Sequence, residues 1–282
     1  MPRVDERIDV TNTLESGQSF LWTRENDEDD NEKPWYTAVV DGEGIRVRDP
    51  PDGRGIEYET TGLDESRIRE LLGLDDDLGE IHDSITDDER VARAVDEYGG
   101  MRVVSDPFFP CTVSFIVSAQ NRIPRIRSLV NAMARDWGET VDGYGDGFPD
   151  AQTLAEVGEE PLRELGLGYR APYVAESARL IADGAVDADE IRSLPYDEAH
   201  DAVQELVGVG DKVGDCILLF SLGFGEAVPL DTWMLQVVEE HYPEVEGDGY
   251  TQTADGFRER FGGYAGYAQN YLFHYARQTE FM

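Results

Sequence analysis

Lysine is nearly absent from this chain. Among 282 residues carrying 24 basic side chains, only Lys33 and Lys212 are lysine, and arginine supplies the rest. Arginine would serve for charge alone. A retained lysine therefore points to chemistry that needs an amine, namely loss of a proton and attack on carbon to form a Schiff base, which a guanidinium cannot perform. On composition alone an incidental surface lysine is the competing reading. Further along the chain, Val228-Pro229-Leu230-Asp231 places a carboxylate at the start of an apolar helical pattern. Asp231 is either an N-cap, worth about 1 kcal/mol, or a partner to the amine that stabilises developing positive charge and moves protons. Spacing does not choose between the two.

The element that must present Lys212 is legible around it. A helical pattern ends at Leu206, Val207-Gly208-Val209-Gly210 makes a tight turn, and a second apolar helix begins near Asp211 or Lys212. This is a helix-hairpin-helix pattern over about residues 195–222. Gly208 and Gly210 let the backbone turn and come close to a phosphate, whose oxygens would meet N–H groups at the new helix start. No basic side chain is needed, so the device suits nucleic-acid binding by an acidic protein. A plain helical hairpin with a glycine-rich turn is the alternative.

The wider pattern predicts an α+β protein, with an antiparallel β-rich domain over 1–104 and a mostly helical domain over 105–282. Short aromatic and β-branched runs at Ser19–Thr23, Trp35–Val40, Ile45–Arg48 and Gly55–Thr60 read as strands, with Asp41-Gly42-Glu43-Gly44 as a hairpin turn and Glu25–Lys33 as a solvated loop. From about residue 63 the period becomes helical, with helices expected at 64–73, 88–98, 109–120, 123–137, 151–156, 169–184, 195–206, 212–222, 231–242 and 265–278.

Sixty acidic residues against 24 basic ones leave a net charge of −36. Such a surface repels itself at low salt and is screened at molar salt, where the Debye length is about 3 Å, so the composition reads as halophilic. No long apolar run and no signal-peptide pattern occur, and a cytoplasmic protein without membrane contact is expected. Cys111 and Cys216 are the only cysteines, which excludes a four-cysteine cluster or zinc site. Acid is missing in two places. Pro107–Arg135 holds no Asp or Glu, where chance would place about six, yet it holds Arg122, Arg125, Arg127 and Arg135. Phe261–Thr279 is also acid-free and sets Gln269, Asn270, His274 and Arg277 among tyrosines and Phe273. Basic islands mixed with aromatics on so acidic a chain read as anion-facing surfaces; packing surfaces are the alternative.

Together these segments resemble the 8-oxoguanine DNA glycosylase/AP lyases of the eukaryotic type, within the helix-hairpin-helix glycosylases. The resemblance runs through Ser16-Gly17-Gln18-Ser19-Phe20 with Trp22, Ser118-Ala119-Gln120-Asn121-Arg122-Ile123-Pro124-Arg125-Ile126, and Leu165-Gly166-Leu167-Gly168-Tyr169-Arg170-Ala171. It continues through the hairpin with Lys212, the segment ending in Asp231, and Tyr264-Ala265-Gly266-Tyr267-Ala268-Gln269. It implies a TATA-binding-protein-like antiparallel sheet domain followed by a helical glycosylase core. It further implies that Lys212 displaces the base and allows β-elimination, with Asp231 as its acid/base and electrostatic partner. Gly17 would sense the N7 hydrogen of 8-oxoguanine, Gln269 would read the Watson–Crick edge, and Cys216 and Phe273 would sandwich the base. Gln120, Arg125, Tyr169 and Arg170 would fill the vacated stack and contact the orphaned cytosine. The partner would be damaged double-stranded DNA, bound by a monomer with no required cofactor; a monovalent cation held by hairpin carbonyls is the one ion the resemblance admits. Within the superfamily a monofunctional alkylbase glycosylase is the alternative, which uses the aspartate without the lysine, and outside it a non-catalytic DNA-binding module. The chain departs from the family at Gln120 and Arg122, where asparagine is usual, and at Trp233, where histidine is usual.

Overall fold

The computed structural model describes residues 2–25 and 33–279, so most of the expected Glu25–Lys33 loop lies outside the described residues. Strands β1 (Arg3–Val4), β2 (Thr23–Arg24), β3 (Tyr36–Val40), β4 (Glu43–Arg48) and β5 (Ile56–Thr60) form one antiparallel sheet in the order β1-β5-β4-β3-β2. The period-two alternation of β4 explains its two faces. Ile45 and Val47 are fully buried opposite Ala38 and Tyr36 of β3. Arg46 and Arg48 face the other way, pair with Glu59 and Glu57 of β5, and lay their guanidinium groups against Trp35. The β3–β4 turn is the expected Asp41-Gly42 hairpin, with both residues at positive φ (53° and 79°) as a type I′ turn requires.

The helices are α1 (Val10–Glu15), α2 (Glu65–Leu71), α3 (Leu78–Ile85), α4 (Glu89–Tyr98), α5 (Phe108–Ser118), α6 (Ile123–Trp137), α7 (Ala151–Val157), α8 (Glu159–Leu162), α9 (Ala171–Ala182), α10 (Ala188–Arg192), α11 (Tyr196–Val203), α12 (Asp211–Ser221), α13 (Thr232–His241), α14 (Tyr250–Phe261) and α15 (Ala265–Gln278). Part of the acidity has a local use. Asp9, Asp64, Asp77, Asp88, Asp150, Asp187 and Asp231 each cap a helix by accepting a backbone N–H. Helices α5 and α12 are the buried axis of the helical part, with continuous burial over Cys111–Val117 and Val213–Ser221. One apolar core runs from the sheet through these helices to α15.

Several boundaries differ from expectation. The run Ser19–Thr23 is not a strand; only Thr23 and Arg24 pair with β3, while Phe20 and Trp22 enter the core from irregular chain. Helices α1, α3, α8, α10 and α14 are additional. Helix α1 is short and β-branched, and it stands on the burial of Val10 and Leu14. Gly256 interrupts the helical propensity of α14, but a Cβ there would meet the Val245 carbonyl at 2.7 Å, so close packing offsets the glycine cost. The first hairpin helix ends at Val203 rather than Leu206, and the helix expected from residue 169 begins at Ala171 after a short 3-10 turn.

Candidate active site

Lys212 lies in the first turn of α12, and Ser118 is the last residue of α5. Packing of the two helices brings the Lys212 Nζ to 3.3 Å from Ser118 Oγ and 5.2 Å from the centre of the Phe115 ring. No described carboxylate pairs with Lys212, and the side chain is half-buried. An amine held by a hydroxyl and an aromatic face, without a fixed counter-ion, suits nucleophilic work better than a structural ion pair. One turn on, Cys216 is buried, and burial pushes its thiol up to about 11 against the opposing pull of Lys212. At neutral pH it is an uncharged, apolar wall.

Lys212 and Cys216 line one cavity with Asp231, Gln269 and Phe273. Gly17, Gln18, Phe115 and Asn270 complete its chemistry-bearing wall. The five residues expected to catalyse or to hold a base, and Gly17 with them, are therefore brought together from four separate segments. The free space is about 50 Å³, enough for one or two waters and too small for a purine, so a base could enter only if the walls moved. Phe273, like Gly17, Lys212 and Asp231, is partly exposed.

Each wall is anchored. Asp231 caps α13, with its Oδ1 accepting the Met234 N–H at 2.8 Å. The Gly17 loop is fixed by its neighbour: Gln18 donates to the Thr13 and Arg102 carbonyls and accepts the Val104 N–H. Gly17 itself has φ 98°, and a Cβ there would come within 2.9 Å of Ile123, so both conformation and space require glycine. Arg277 donates to the Ser16 carbonyl at 3.3 Å and stacks on Phe273, tying α15 to this loop. Behind the hairpin, Asp215 is completely buried and accepts from the Tyr196 and Tyr250 hydroxyls. Tyr250 Oη also accepts the Leu230 N–H at 3.2 Å, one residue before Asp231. Asp215 lies three residues after Lys212, so this chain of bonds links the two candidate catalytic residues mechanically.

The candidate DNA contacts form a second group outside the cavity. Gln120 is exposed just beyond the end of α5 with φ 56°, a left-handed conformation uncommon for a side-chain-bearing residue. Arg170 is buried, donates to the Ala119 carbonyl and lies against the Tyr169 ring, which is 49% exposed. Arg125 donates to the Gly166 carbonyl at 3.3 Å. These contacts bring the segment of Gln120 and Arg125 against the segment of Tyr169 and Arg170. At the hairpin, Gly208 has φ 87° and a Cβ would strike Tyr173 at 2.8 Å, whereas Gly210 is extended and faces open space. No side chain caps α12, and its first-turn amides remain available to an anion. The usual histidine position holds Trp233, whose indole nitrogen is buried without a partner. Sequence reasoning assigned no role to Phe115, Ser118 or Gln18. Gln18 and Ser118 were present only as members of the two motifs around them, and Phe115 only as part of the acid-free window Pro107–Arg135.

No group of metal-ligating side chains occurs among the described residues, and no helix among them is long and apolar enough to cross a membrane. Both cysteines are free and buried.

A helix-hairpin-helix carrying a lysine, followed by a capping aspartate that shares its cavity, defines a class. The chain belongs to the HhH-GPD superfamily of base excision DNA repair proteins, whose model matches residues 113–261. Residues 2–111 match the N-terminal domain of 8-oxoguanine DNA glycosylase. Among similar proteins, a probable N-glycosylase/DNA lyase of Methanothermobacter thermautotrophicus is 30% identical over 76% of this chain and 75% of its own length. The N-glycosylase/DNA lyase OGG1 of Arabidopsis thaliana is 28% identical over 93% of this chain and 75% of its own. The Clostridium acetobutylicum 8-oxoguanine glycosylase/lyase, solved with double-stranded DNA containing cytosine opposite 8-oxoguanine, superposes with a TM-score of 0.85 at 30% identity. That match covers 97% of this chain and 93% of the other.

Proposed function

We propose that this protein is a bifunctional DNA glycosylase/AP lyase of base excision repair that removes 8-oxoguanine, paired with cytosine, from double-stranded DNA. The observation that carries this reading is the convergence of Lys212, Asp231, Gln269, Phe273 and Gly17 on one cavity, in a chain of this superfamily. Flipping a nucleotide out of the duplex costs a few kcal/mol. Gln120 and Tyr169, both exposed, would fill the vacated stack, and Arg125 and Arg170 would meet the cytosine left behind. The base would lie between Cys216 and Phe273, with the Gly17 carbonyl accepting the N7 hydrogen that guanine lacks. The Lys212 amine, once neutral, attacks C1′ as the glycosidic bond breaks and its electron pair leaves with the base. Asp231 stabilises the oxocarbenium-like centre and moves the protons needed for Schiff-base formation. Loss of a proton from C2′ then expels the 3′ phosphate by β-elimination, and water releases the lysine.

The protein would act as a monomer in a salt-rich cytoplasm and need no cofactor for these steps. A lysine without a carboxylate partner, in one cavity with Asp231, favours this reading over a lysine-independent alkylbase glycosylase. Single-turnover excision on duplexes carrying 8-oxoguanine opposite cytosine, unmodified guanine opposite cytosine, or an alkylated adenine tests the reading. Excision and strand cleavage confined to the first duplex are expected. Excision of the alkylated adenine alone, without cleavage, would replace this reading with the monofunctional one.

A further inference from the structure

Gln269 and its chain neighbour Asn270 both line the cavity, and both are buried, at 4% and 3% exposure. Each presents a buried polar atom that lacks a hydrogen-bond partner, Oε1 of Gln269 and Nδ2 of Asn270. Other buried side-chain atoms are also unpaired, such as the hydroxyls of Thr112, Ser114 and Ser221. None of those residues lines the cavity. The two adjacent amides of α15 are therefore singled out twice, by the cavity and by the unpaired atoms. An unpaired acceptor and an unpaired donor on adjacent residues of one cavity wall suit a ligand that offers the opposite pattern.

We infer that Asn270 is a second specificity-determining residue for the flipped base, donating from Nδ2 to the purine O6 while Gln269 Oε1 accepts from the N1 and N2 hydrogens. This rests on the 8-oxoguanine reading of the same site. The edge of an 8-oxoguanine presents an acceptor at C6 beside donors at N1 and C2. An 8-oxoadenine presents an amine at C6, which would confront the Asn270 amide donor with another donor. A site built to hydrogen-bond one edge rejects the other because its own buried groups are left unpaired. Helix geometry permits the pairing of roles. Consecutive residues on a helix point about 100° apart, so the two amides reach the cavity along different directions, yet both line it, and Phe273, one turn after Gln269, would meet the face of the base.

The test compares wild type with Asn270→Ala and the near-isosteric Asn270→Asp. It reads single-turnover excision of 8-oxoguanine and of 8-oxoadenine opposite cytosine, and β-elimination at a preformed abasic site. The abasic site has no base, so a base-reading residue has nothing to do there. We expect Asn270→Ala to slow excision of 8-oxoguanine about tenfold and to leave abasic-site cleavage within about twofold of wild type. Asn270→Asp, which replaces the donor with an acceptor, should lose 8-oxoguanine more severely and narrow the gap to 8-oxoadenine. Equal losses in excision and abasic cleavage would make Asn270 a packing residue and overturn the inference, as would variants that excise 8-oxoguanine at the wild-type rate. Failure of wild type itself to excise 8-oxoguanine would overturn the parent reading and this inference with it, and is distinguished by appearing before any substitution.

Discussion

Asp231 caps α13 and, in the proposed mechanism, would also do the chemical work of the same carboxylate; the two tasks separate by substitution. An asparagine at this position would still accept the Met234 N–H, because asparagine caps helices about as well as aspartate. Asp231→Asn should therefore keep the thermal midpoint nearly unchanged while lowering single-turnover excision about 10²- to 10⁴-fold, the range of a lost acid/base group. Asp231→Ala should lose both, with roughly 1 kcal/mol of stability gone. Equal activity in Asp231→Asn and wild type would leave the residue as a cap only. A different carboxylate carries a pH signature. Asp106 is completely buried, accepts from Ser19 Oγ at 2.7 Å, and is pushed up to about 7 by burial. Its folded pKa lies above the unfolded value, so its contribution is fully present below about pH 4 and is lost as pH rises from there through about 7. Asp106→Asn should stabilise the protein by roughly 1–3 kcal/mol at pH 8 relative to pH 4, checked by denaturant unfolding at both values. At this scale the site was readable where chemistry restricts the residue type. The lysine stood out because arginine had replaced nearly every other one. Ser118 and Phe115 did not stand out, because a hydroxyl and a ring inside an apolar helix look the same whether they touch an amine or not.

At the scale of elements, the site depends on the α5–α12 contact and on the bridge from Asp215 through Tyr250 to Leu230. Tyr250→Phe removes one hydroxyl and leaves both the Leu230 N–H and one Asp215 oxygen without a partner. A cost of about 1–3 kcal/mol follows. Excision should fall further than DNA binding, because the bridge fixes Lys212 against Asp231 and not the hairpin against phosphate. A stability loss with unchanged excision per folded molecule would show that the bridge only supports the core. The helices legible in sequence were the long amphipathic ones, helped by start signals at Pro110, Pro124, Pro195 and Asp231; a capping aspartate alone, as at Asp9, Asp77 and Asp187, did not reveal the short ones. Those missed were the short α1, α3, α8 and α10, of four to eight residues each, and α14, whose interior glycine hides its period. The Ser19–Thr23 run read as a strand because Phe20 and Trp22 share its period-two alternation, yet the core takes both rings without any strand partner.

Over the whole molecule, charge is segregated. Acid caps helices and covers the surface, while α5, α6 and α15, which flank or line the cavity, carry almost none. Binding would lean on hairpin amides, wedge residues and stacking more than on cationic side chains. The logarithm of DNA affinity should therefore decline with the logarithm of salt more gently than six phosphate neutralisations require, a slope magnitude below about 5. Fluorescence anisotropy across a KCl series measures this, and a steeper slope would return the binding energy to arginine–phosphate contacts. Sequence conveyed the acid-free windows but not that both face one site, because that depends on how α5 and α15 meet in space.

The central claim is that Lys212 is the nucleophile. Borohydride trapping on a duplex with 8-oxoguanine opposite cytosine, in high KCl, tests it most directly with wild type and Lys212→Gln side by side. The account predicts a covalent protein–DNA adduct with wild type and none with Lys212→Gln, both proteins being folded and bound to the duplex. An adduct that survives Lys212→Gln, or its absence from folded, DNA-bound wild type, would contradict it.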